Sequence, residues 1–214
     1  MEIKLYYAPI TCALAPYITL TEADANFEVI PLNFRAQEHL ASEFLSINPK
    51  HKVPLLMVDR IKLTENVAIQ QWIAKTYPEA RLLPEDPWDS LQAISLVSWC
   101  SSGIHPFLRV INGPPKVCDI AGTEENIRQR AVEHVYECFQ IAENLLDRRE
   151  YFFDHFTAPD TNFYWCFRRA GQFRLDLSIF PNCQAHFDRM ENRPSVQKLL
   201  AYEKKVQTQF NEAA

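Results

Sequence analysis

Cys12 is the first residue of the chain whose type and position could support chemistry. It follows the strand-like run Ile3–Tyr7 and stands at the start of a predicted helix. The N-terminus of a helix favours the thiolate, so this position predicts a lowered thiol pKa. No disulfide partner lies three residues on, because that residue is Ala15. Cys12 could activate a substrate, form a mixed disulfide or stabilise a bound thiolate; the alternative is an inert buried side chain.

Val53 and Pro54 open an apolar run of strand length over residues 53–58. Proline cannot donate to the hydrogen-bond ladder of a sheet, so an edge strand or a bulge is one explanation. A cis Val53–Pro54 bond is the other. In that case the backbone N–H and C=O of Val53 face outward, where they can pair with the backbone of a bound peptide.

Glu65 and Asn66 lie where a short predicted strand ends and a helix begins. We predict Asn66 as the N-cap of that helix. The free N–H groups at such a helix end bind anions. Asn66 could hydrogen-bond a carboxylate while Glu65 accepts an ammonium, a combination that suits the terminus of an amino acid. Simple capping of the helix is the alternative.

His105 is the fourth candidate, near the end of a helix predicted over residues 90–109. A helix C-terminus would favour the charged imidazolium, and a purely structural role is the alternative. The six cysteines of the chain include no CxxC pair and no metal-ligand spacing. We therefore predict no metal site, and free thiols in a reducing compartment.

The elements that must position these residues change character along the chain. The first third reads as a β-α-β unit, a looser helix over residues 36–47, and a β-hairpin that turns at Asp59-Arg60 and leads into a helix. A β-α-β unit implies a parallel strand pair. Beyond residue 89 the pattern predicts helices only.

The change from mixed strands and helices to helices only indicates two domains. Residues 82–89 contain two prolines and several charges, which is typical of a linker. We therefore predict an α/β domain over residues 1–81, a linker over 82–89 and an all-α domain over 90–214.

Composition and charge exclude several kinds of partner. The net charge is −5 and no basic run occurs, which disfavours nucleic acid. No stretch approaches eighteen consecutive apolar residues, so no membrane span is predicted. The N-terminus opens directly into strand-like residues, without the apolar core of a secretory signal, and we expect a cytoplasmic protein.

Two segments together resemble the glutathione-site core of the soluble glutathione transferases. Residues 48–56 read N-P-K-H-K-V-P-L-L and residues 63–69 read L-T-E-N-V-A-I, matching the family's N-P-x-G-x-V-P-x-L and L-x-E-S-x-A-I in spacing. The segment F-T-A-P-D at 156–160 resembles the family's buried N-capping box, and R-P-S-V at 193–196 its late R-P-x-V segment. The resemblance implies a thioredoxin-like α/β N-terminal domain followed by an all-α C-terminal helical domain, the glutathione transferase fold.

Within the family, the segment around Cys12 is similar to the bacterial beta class. That similarity implies that Cys12 contacts the glutathione sulfur and that His105 reaches the same site. It also implies that Val53 pairs with the cysteinyl backbone, while Glu65 and Asn66 hold the γ-glutamyl end. The implied site residues are Arg35, Lys52, Val53, Pro54, Glu65 and Asn66 for glutathione, and Cys12 and His105 for catalysis. Arg35 would meet the glycyl carboxylate.

Two residues depart from the family pattern inside this site. Asn66 stands where Ser is usual, and His51 stands where Gly is usual. If the turn at His51 requires a positive φ, the histidine costs roughly 1 kcal/mol. Tyr7 and Thr11 are rival groups for the glutathione sulfur, since other classes of the family use a tyrosine or a serine in this region.

The resemblance implies a glutathione transferase that activates the glutathione thiolate for conjugation to a small, apolar electrophile. Glutathione would be the co-substrate and the chain would form a homodimer. Two other functions stay open: a glutathione-dependent thiol transferase or dehalogenase that uses Cys12 covalently, and a binding or scaffold protein that has kept the fold and lost turnover.

Overall fold

The computed structural model describes residues 1–212 and divides into two compact units. The first is Met1–Leu83 together with the last helix of the chain, and the second is Pro84–Glu191. Within the described range, no helix is both long enough and apolar enough to cross a membrane. The helices are α1 Leu14–Glu22, α2 Ser42–Ile47, α3 Asn66–Thr76, α4 Pro87–Trp99, α5 His105–Asn112, α6 Glu124–Leu145, α7 Ala158–Gln172, α8 Pro181–Glu191 and α9 Pro194–Glu212.

A four-stranded sheet forms the core of the first unit, in the order β2-β1-β3-β4. The strands are β1 Ile3–Tyr7, β2 Glu28–Pro31, β3 Leu55–Val58 and β4 Ile61–Thr64. β1 pairs in parallel with β2 and antiparallel with β3, and β3 pairs antiparallel with β4. Both the predicted β-α-β unit and the predicted hairpin are confirmed. Leu5, Leu55 and Leu56 are fully buried. Leu55 and Leu56 are consecutive and point to opposite faces of the sheet, so both faces are covered at this strand.

The last helix packs with the first unit, which differs from the assignment of residues 90–214 to one helical domain. Helix α9 buries Val196, Leu199 and Val206, and it is among the elements in contact with α1. Arg193 fixes its start by a bidentate ion pair with Glu22 at the end of α1, with Nη2–Oε2 at 2.7 Å. Apolar periodicity predicts a helix here but does not specify which unit covers its buried face.

Aromatic rings fill the core of the second unit. Phe139, Phe163, Phe167 and Phe180 are all at most 2% exposed, and their neighbouring ring centroids lie 5.2–6.0 Å apart. Helix α8 was not predicted from the sequence, because its surface is mostly polar and only three of its residues are buried: Cys183, His186 and Met190.

The predicted capping box at the start of α7 is confirmed. Thr157 N donates to Asp160 Oδ2 at 2.7 Å, and the Thr157 side chain pairs with the N3 backbone in return. Asp160 Oδ1 also accepts from His186 Nε2 at 3.0 Å and from Phe152 N at 3.2 Å. We call Thr157, Asp160 and His186 the capping cluster; all three are almost completely buried.

Candidate functional site

Cys12 and Val53 meet because of the strand order. β1 and β3 are antiparallel neighbours, so the end of β1 lies beside the start of β3. The loop after β1 carries Cys12, and Val53 stands two residues before β3. The thiol of Cys12 donates to Val53 O at an Sγ–O distance of 3.8 Å. Two residues that are 41 positions apart in sequence therefore share one edge of the sheet.

The Val53–Pro54 peptide bond is cis. The loop before it is fixed by Asn48, whose Nδ2 donates to Lys52 O at 2.7 Å. Within residues 1–212 the Val53 N–H has no hydrogen-bond partner, and its C=O accepts only from the Cys12 thiol. The N–H of Val53 is therefore available to a ligand, and its C=O is engaged only by the weak hydrogen bond from the Cys12 thiol.

Glu65 ends the segment after β4 in a conformation that few residues adopt. It precedes α3 with φ 72° and makes no side-chain cap to the helix. A positive φ costs a non-glycine residue about 1–3 kcal/mol, and such residues cluster at binding sites. Its side chain is 67% exposed and pairs with Lys50 Nζ at 2.6 Å. An exposed ion pair of this kind is worth at most about 1 kcal/mol, so another cation can displace Lys50.

Asn66 is the first residue of α3, and the prediction that it is the N-cap is wrong. The unusual backbone at Glu65 places the helix start one residue earlier than the capping pattern indicates. Asn66 instead reaches across to the loop after β1, where its Nδ2 donates to Cys12 O at 3.2 Å. Its Oδ1 is buried without a partner. The free atom of this side chain is thus an acceptor, which suits an ammonium better than a carboxylate.

The pKa of the Cys12 thiol is raised to about 12, mainly by burial and also by the charge of Glu65. The prediction of a lowered pKa is therefore wrong. The helix dipole acts mainly within the first turn of a helix. Cys12 lies two residues before the start of α1 and is therefore outside that turn. Lys52 and Asn66 act in the opposite direction but more weakly. Cys12 is a neutral thiol at neutral pH and serves as a hydrogen-bond donor.

Glu203 of α9 is a site residue that the sequence did not reveal. It is 3% exposed, and its Oε1 accepts from Tyr7 Oη at 2.8 Å and from Ile10 N at 2.7 Å. Ile10 has φ 69°, a true outlier for a β-branched residue, and the hydrogen bond from its N–H helps to hold it there. Glu203 thus fixes the loop that carries Cys12. Only its burial on α9 could have suggested this.

The hydroxyls of Tyr7 and Thr11, the two rival groups for the glutathione sulfur, both donate to acceptors within the protein. The Tyr7 hydroxyl donates to Glu203, and Thr11 Oγ1 donates to Ala8 O at 2.6 Å. Tyr7 is also completely buried. Neither hydroxyl proton is available to a bound sulfur without breaking its present hydrogen bond.

His51 and Lys52 lie in the exposed turn before Val53. His51 has φ 44°, so this turn does require the left-handed region that glycine adopts more easily. The ammonium of Lys52 is exposed, and its charge favours the thiolate at Cys12. The backbone of His51 therefore has the positive φ at which a histidine is strained.

Arg35 is not brought to Cys12, Val53, Glu65 or Asn66. Its Nη1 donates to Asn211 Oδ1 of α9 at 3.1 Å, and it lines a separate cavity. A role at a glycyl carboxylate stays a prediction.

His105 belongs to the second unit, where it begins α5 after a π-helical turn, Cys100–Ile104. The prediction that it ends a helix is wrong, because the helix pattern continues through this turn to Asn112. The imidazole packs edge-on against Trp165 with ring centroids 4.3 Å apart. π-helical turns recur at functional sites, but the role of His105 stays a prediction.

Within residues 1–212, no group of three or more His, Cys, Asp and Glu side chains is arranged to hold a metal ion. The polar groups that converge are Cys12, Val53, Glu65 and Asn66, which we call the N-terminal cluster. They offer backbone pairing, an acceptor pair for an ammonium, free N–H groups at the start of α3 and one thiol donor. These suit a small peptide with a free amino-acid end.

Comparison with known proteins agrees with this geometry. The model "Glutathione S-transferase, N-terminal domain" matches residues 1–75, and "Glutathione S-transferase, C-terminal domain" matches residues 102–194. The chain therefore belongs to the glutathione S-transferase family. The two matched segments carry the sheet with the N-terminal cluster and most of the helical unit.

Individual relatives match most of the length of the chain. Glutathione S-transferase GstA of Escherichia coli O157:H7 is 27% identical over 203 residues, covering 94% of this chain and 98% of that enzyme. A bacterial beta class enzyme of Sphingomonas chungbukensis is 29% identical with a TM-score of 0.83, and covers 94% of this chain and 98% of its own. A sphingomonad enzyme solved in complex with glutathione is 28% identical with the same TM-score and coverage.

Proposed function

We propose that this protein binds glutathione along the N-terminal cluster and activates its thiol for transfer to small, apolar electrophiles. The observation that carries the proposal is the convergence on Cys12 of Val53 O, at 3.8 Å, and Asn66 Nδ2, at 3.2 Å. Membership of the glutathione S-transferase family supports the same reading.

The cysteinyl residue of glutathione would pair with the backbone of Val53. Its N–H would donate to Val53 O and its C=O would accept from Val53 N, as two adjacent strands do. The weak thiol hydrogen bond to Val53 O is then exchanged for a backbone one, which frees the Cys12 S–H. Lys52 and Pro54 flank Val53 and hold this stretch of backbone.

The γ-glutamyl end would lie at the start of α3. Its ammonium would displace Lys50 from Glu65 and pair with the buried, unpartnered Oδ1 of Asn66. Its carboxylate would accept from the free N–H groups of the first turn of α3, where the helix dipole also favours a negative charge. Asn66 can therefore bind the γ-glutamyl end, although serine is usual at this position in the family.

The freed Cys12 thiol would donate to the glutathione thiolate, and the Lys52 ammonium would add a favourable charge nearby. A thiolate is the reactive form, so stabilising it increases the fraction that attacks an electrophile. With its own pKa raised to about 12, Cys12 is the neutral thiol at pH 7. This disfavours covalent thiol exchange through Cys12 and favours conjugation.

The test is retention on immobilised glutathione together with turnover of 1-chloro-2,4-dinitrobenzene as a general electrophile. We expect both for the native chain. The variant Glu65→Gln should raise the KM for glutathione about tenfold, because it removes a charged acceptor from a partly exposed site.

Glu79→Gln is the matched control, since Glu79 is an exposed carboxylate beyond α3 and has no part in the proposal. Absence of both retention and turnover would overturn the transferase proposal and favour a scaffold role. An equal change of KM in both variants would remove Glu65 from the site.

We also propose that the chain forms a homodimer. Support comes from Trp88 and Leu91, which are 68% and 57% exposed and lie one turn apart on α4. Large apolar side chains exposed together mark an interaction surface. Sedimentation equilibrium should give twice the chain mass, and Trp88→Glu with Leu91→Glu should give the monomer; a native monomer at micromolar concentration contradicts the proposal.

A cytoplasmic location completes the proposal. All six cysteines are free thiols, and free thiols persist in a reducing compartment. Fractionation of the source cells should recover the protein with soluble cytoplasmic markers, and recovery with an exported fraction would contradict this.

A further inference from the structure

The ammonium of Lys50 lies at the position where the proposed ligand carries its own ammonium. Lys50 Nζ donates to Glu65 Oε1 at 2.6 Å and to Thr64 Oγ1 at 3.0 Å. Thr64 is the last residue of β4, and Glu65 stands between β4 and α3. The free chain therefore fills the ammonium position of the N-terminal cluster with one of its own side chains.

The backbone that carries this lysine is fixed, whereas its side chain is not. Lys50 N donates to Asn48 Oδ1 at 3.1 Å, and Asn48 Nδ2 donates to Lys52 O at 2.7 Å. Asn48 is 2% exposed, so these hydrogen bonds hold the loop before Val53 from its buried side. The Lys50 side chain is 52% exposed, and a lysine has a flexible four-carbon stem. Its ammonium can therefore change partner while the loop stays in place.

The ion pair between Lys50 and Glu65 is easily exchanged for another one. Both side chains are more than half exposed, so solvent screens their attraction, and the ordering of two long side chains offsets part of it. Thr64 can remain a partner of the lysine when the ammonium leaves Glu65, because its hydroxyl accepts independently of the carboxylate. An incoming ammonium thus takes over Glu65, and Lys50 loses one of two acceptors.

An α-amino acid end brings a carboxylate on the same carbon as its ammonium. When that ammonium pairs with Glu65, the carboxylate lies beside it at the start of α3. The first hydrogen bond of this helix runs from Ile69 N to Glu65 O, so the N–H groups of residues 66–68 have no partner within α3. The displaced ammonium of Lys50 is then next to the ligand carboxylate, and the charges of protein and ligand alternate in sign.

We propose, on the basis of the proposed function, that Lys50 determines the specificity of this site for a ligand with an α-carboxylate beside its ammonium. Lys50 pairs with Glu65 in the free chain and with the ligand carboxylate in the complex. A ligand that lacks the carboxylate leaves the displaced lysine without a new partner and places two cations beside one carboxylate, which is repulsive. Lys50 therefore favours an intact γ-glutamyl end over a decarboxylated one.

Isothermal titration calorimetry with two peptides tests this role. Glutathione carries both charges, whereas 4-aminobutanoyl-cysteinyl-glycine keeps the amine and lacks the α-carboxylate. We expect the native chain to bind glutathione about tenfold more tightly than the analogue, because the analogue loses its contacts with Lys50 and with the start of α3.

Lys50→Met should change the two affinities in opposite directions. The affinity for glutathione should fall about threefold, because the carboxylate loses its cation, and the affinity for the analogue should rise about threefold, because nothing competes for Glu65. Lys50→Arg keeps a cation and should keep the native preference. Lys75→Met is the matched control, since Lys75 is an exposed lysine at the other end of α3, and it should change neither affinity. Thermal unfolding of each variant establishes that it is folded.

Two results would overturn the role of Lys50 and leave the proposed function intact. The first is a Lys50→Met variant that keeps the native preference for glutathione over the analogue. The second is an equal change of that preference in Lys50→Met and Lys75→Met, which would reflect only the lost positive charge. A native chain that binds neither peptide would overturn the proposed function and the role of Lys50 together.

Discussion

The N-terminal cluster and the capping cluster both bring polar groups together, but they differ in how the central groups use their hydrogen bonds. In the capping cluster Asp160 accepts from Thr157, His186 and Phe152 N, and the carboxylate is fully buried. In the N-terminal cluster the Val53 N–H and the Asn66 Oδ1 have no partner among the described residues.

This difference indicates that the capping cluster stabilises the fold and that the N-terminal cluster binds a ligand. A buried polar group without a partner costs about 1–3 kcal/mol. The Asp160 carboxylate has its protein donors and stabilises the fold, although His186 Nδ1 in the same cluster has no partner among the described residues. The Val53 N–H and the Asn66 Oδ1 are left for a ligand. The first kind of cluster should respond to mutation in stability, and the second in binding and turnover. The following predictions test that division, from the largest expected effect to the smallest.

Asp160→Ala should lower the free energy of unfolding by about 3–5 kcal/mol, because it leaves several buried donors without an acceptor. Urea denaturation followed by circular dichroism measures the change. Asp154→Ala is the control, since that carboxylate is exposed. A loss below 1 kcal/mol would mean that the capping cluster is not a stabilising unit.

Cys12→Ala should lower kcat for conjugation by roughly ten- to a hundredfold, the value of one hydrogen bond to a charged acceptor. Cys12→Ser keeps a donor and should retain most of the activity. Both variants should keep native stability at pH 7, and Cys118→Ala should behave as the native chain. If Ser and Ala are equally inactive, Cys12 acts as a covalent nucleophile and the conjugation mechanism is wrong.

The raised pKa of Cys12 should make the free energy of unfolding depend on pH in the alkaline range. Its pKa is raised from the ordinary 9.0 to about 12 in the folded chain. The unfolded chain releases this proton first, so the stability due to the neutral thiol is complete below pH 9 and is lost between pH 9 and 12.

The native chain should therefore lose about 1.4 kcal/mol per pH unit more than Cys12→Ala over that window. Urea denaturation at pH 8, 9 and 10 measures the difference. Cys138, with a pKa raised to about 11 by burial, contributes a similar loss in both proteins and cancels in the comparison. Parallel pH profiles would contradict the raised pKa.

His51→Gly should stabilise the chain by about 0.5–1 kcal/mol, because glycine adopts a φ of 44° without strain. His39→Gly removes the same side chain from a residue without positive φ and should not stabilise. Thermal unfolding compares the two. A destabilised His51→Gly variant would mean that the histidine makes a compensating contact.

The two clusters also differ in how far the sequence predicts them. The capping cluster lies largely within one segment, and its Thr157–Asp160 spacing carries the hydrogen-bond pattern directly. Only His186, from a helix with a mostly polar surface, was not predicted. The N-terminal cluster is recognised by the combined spacing around Val53 and Glu65, yet the state of each group depends on neighbours from other elements.

The sequence by itself determined the parallel strand pair and the hairpin of the first unit, the helical nature of the rest and the positions where site residues stand; the pairing of β1 with β3 came from the structure. These follow from apolar periodicity, turn chemistry and motif spacing, which are local. Tertiary structure alone decided that α9 contacts α1, that Glu203 fixes the Cys12 loop and that Arg35 lines a cavity together with residues of α9.

Tertiary structure also decided the direction of the Cys12 pKa. The helix-dipole argument is local and predicted a lower value, but burial of the thiol outweighs it. Desolvation depends on everything packed around a group, and no spacing along the chain encodes that sum.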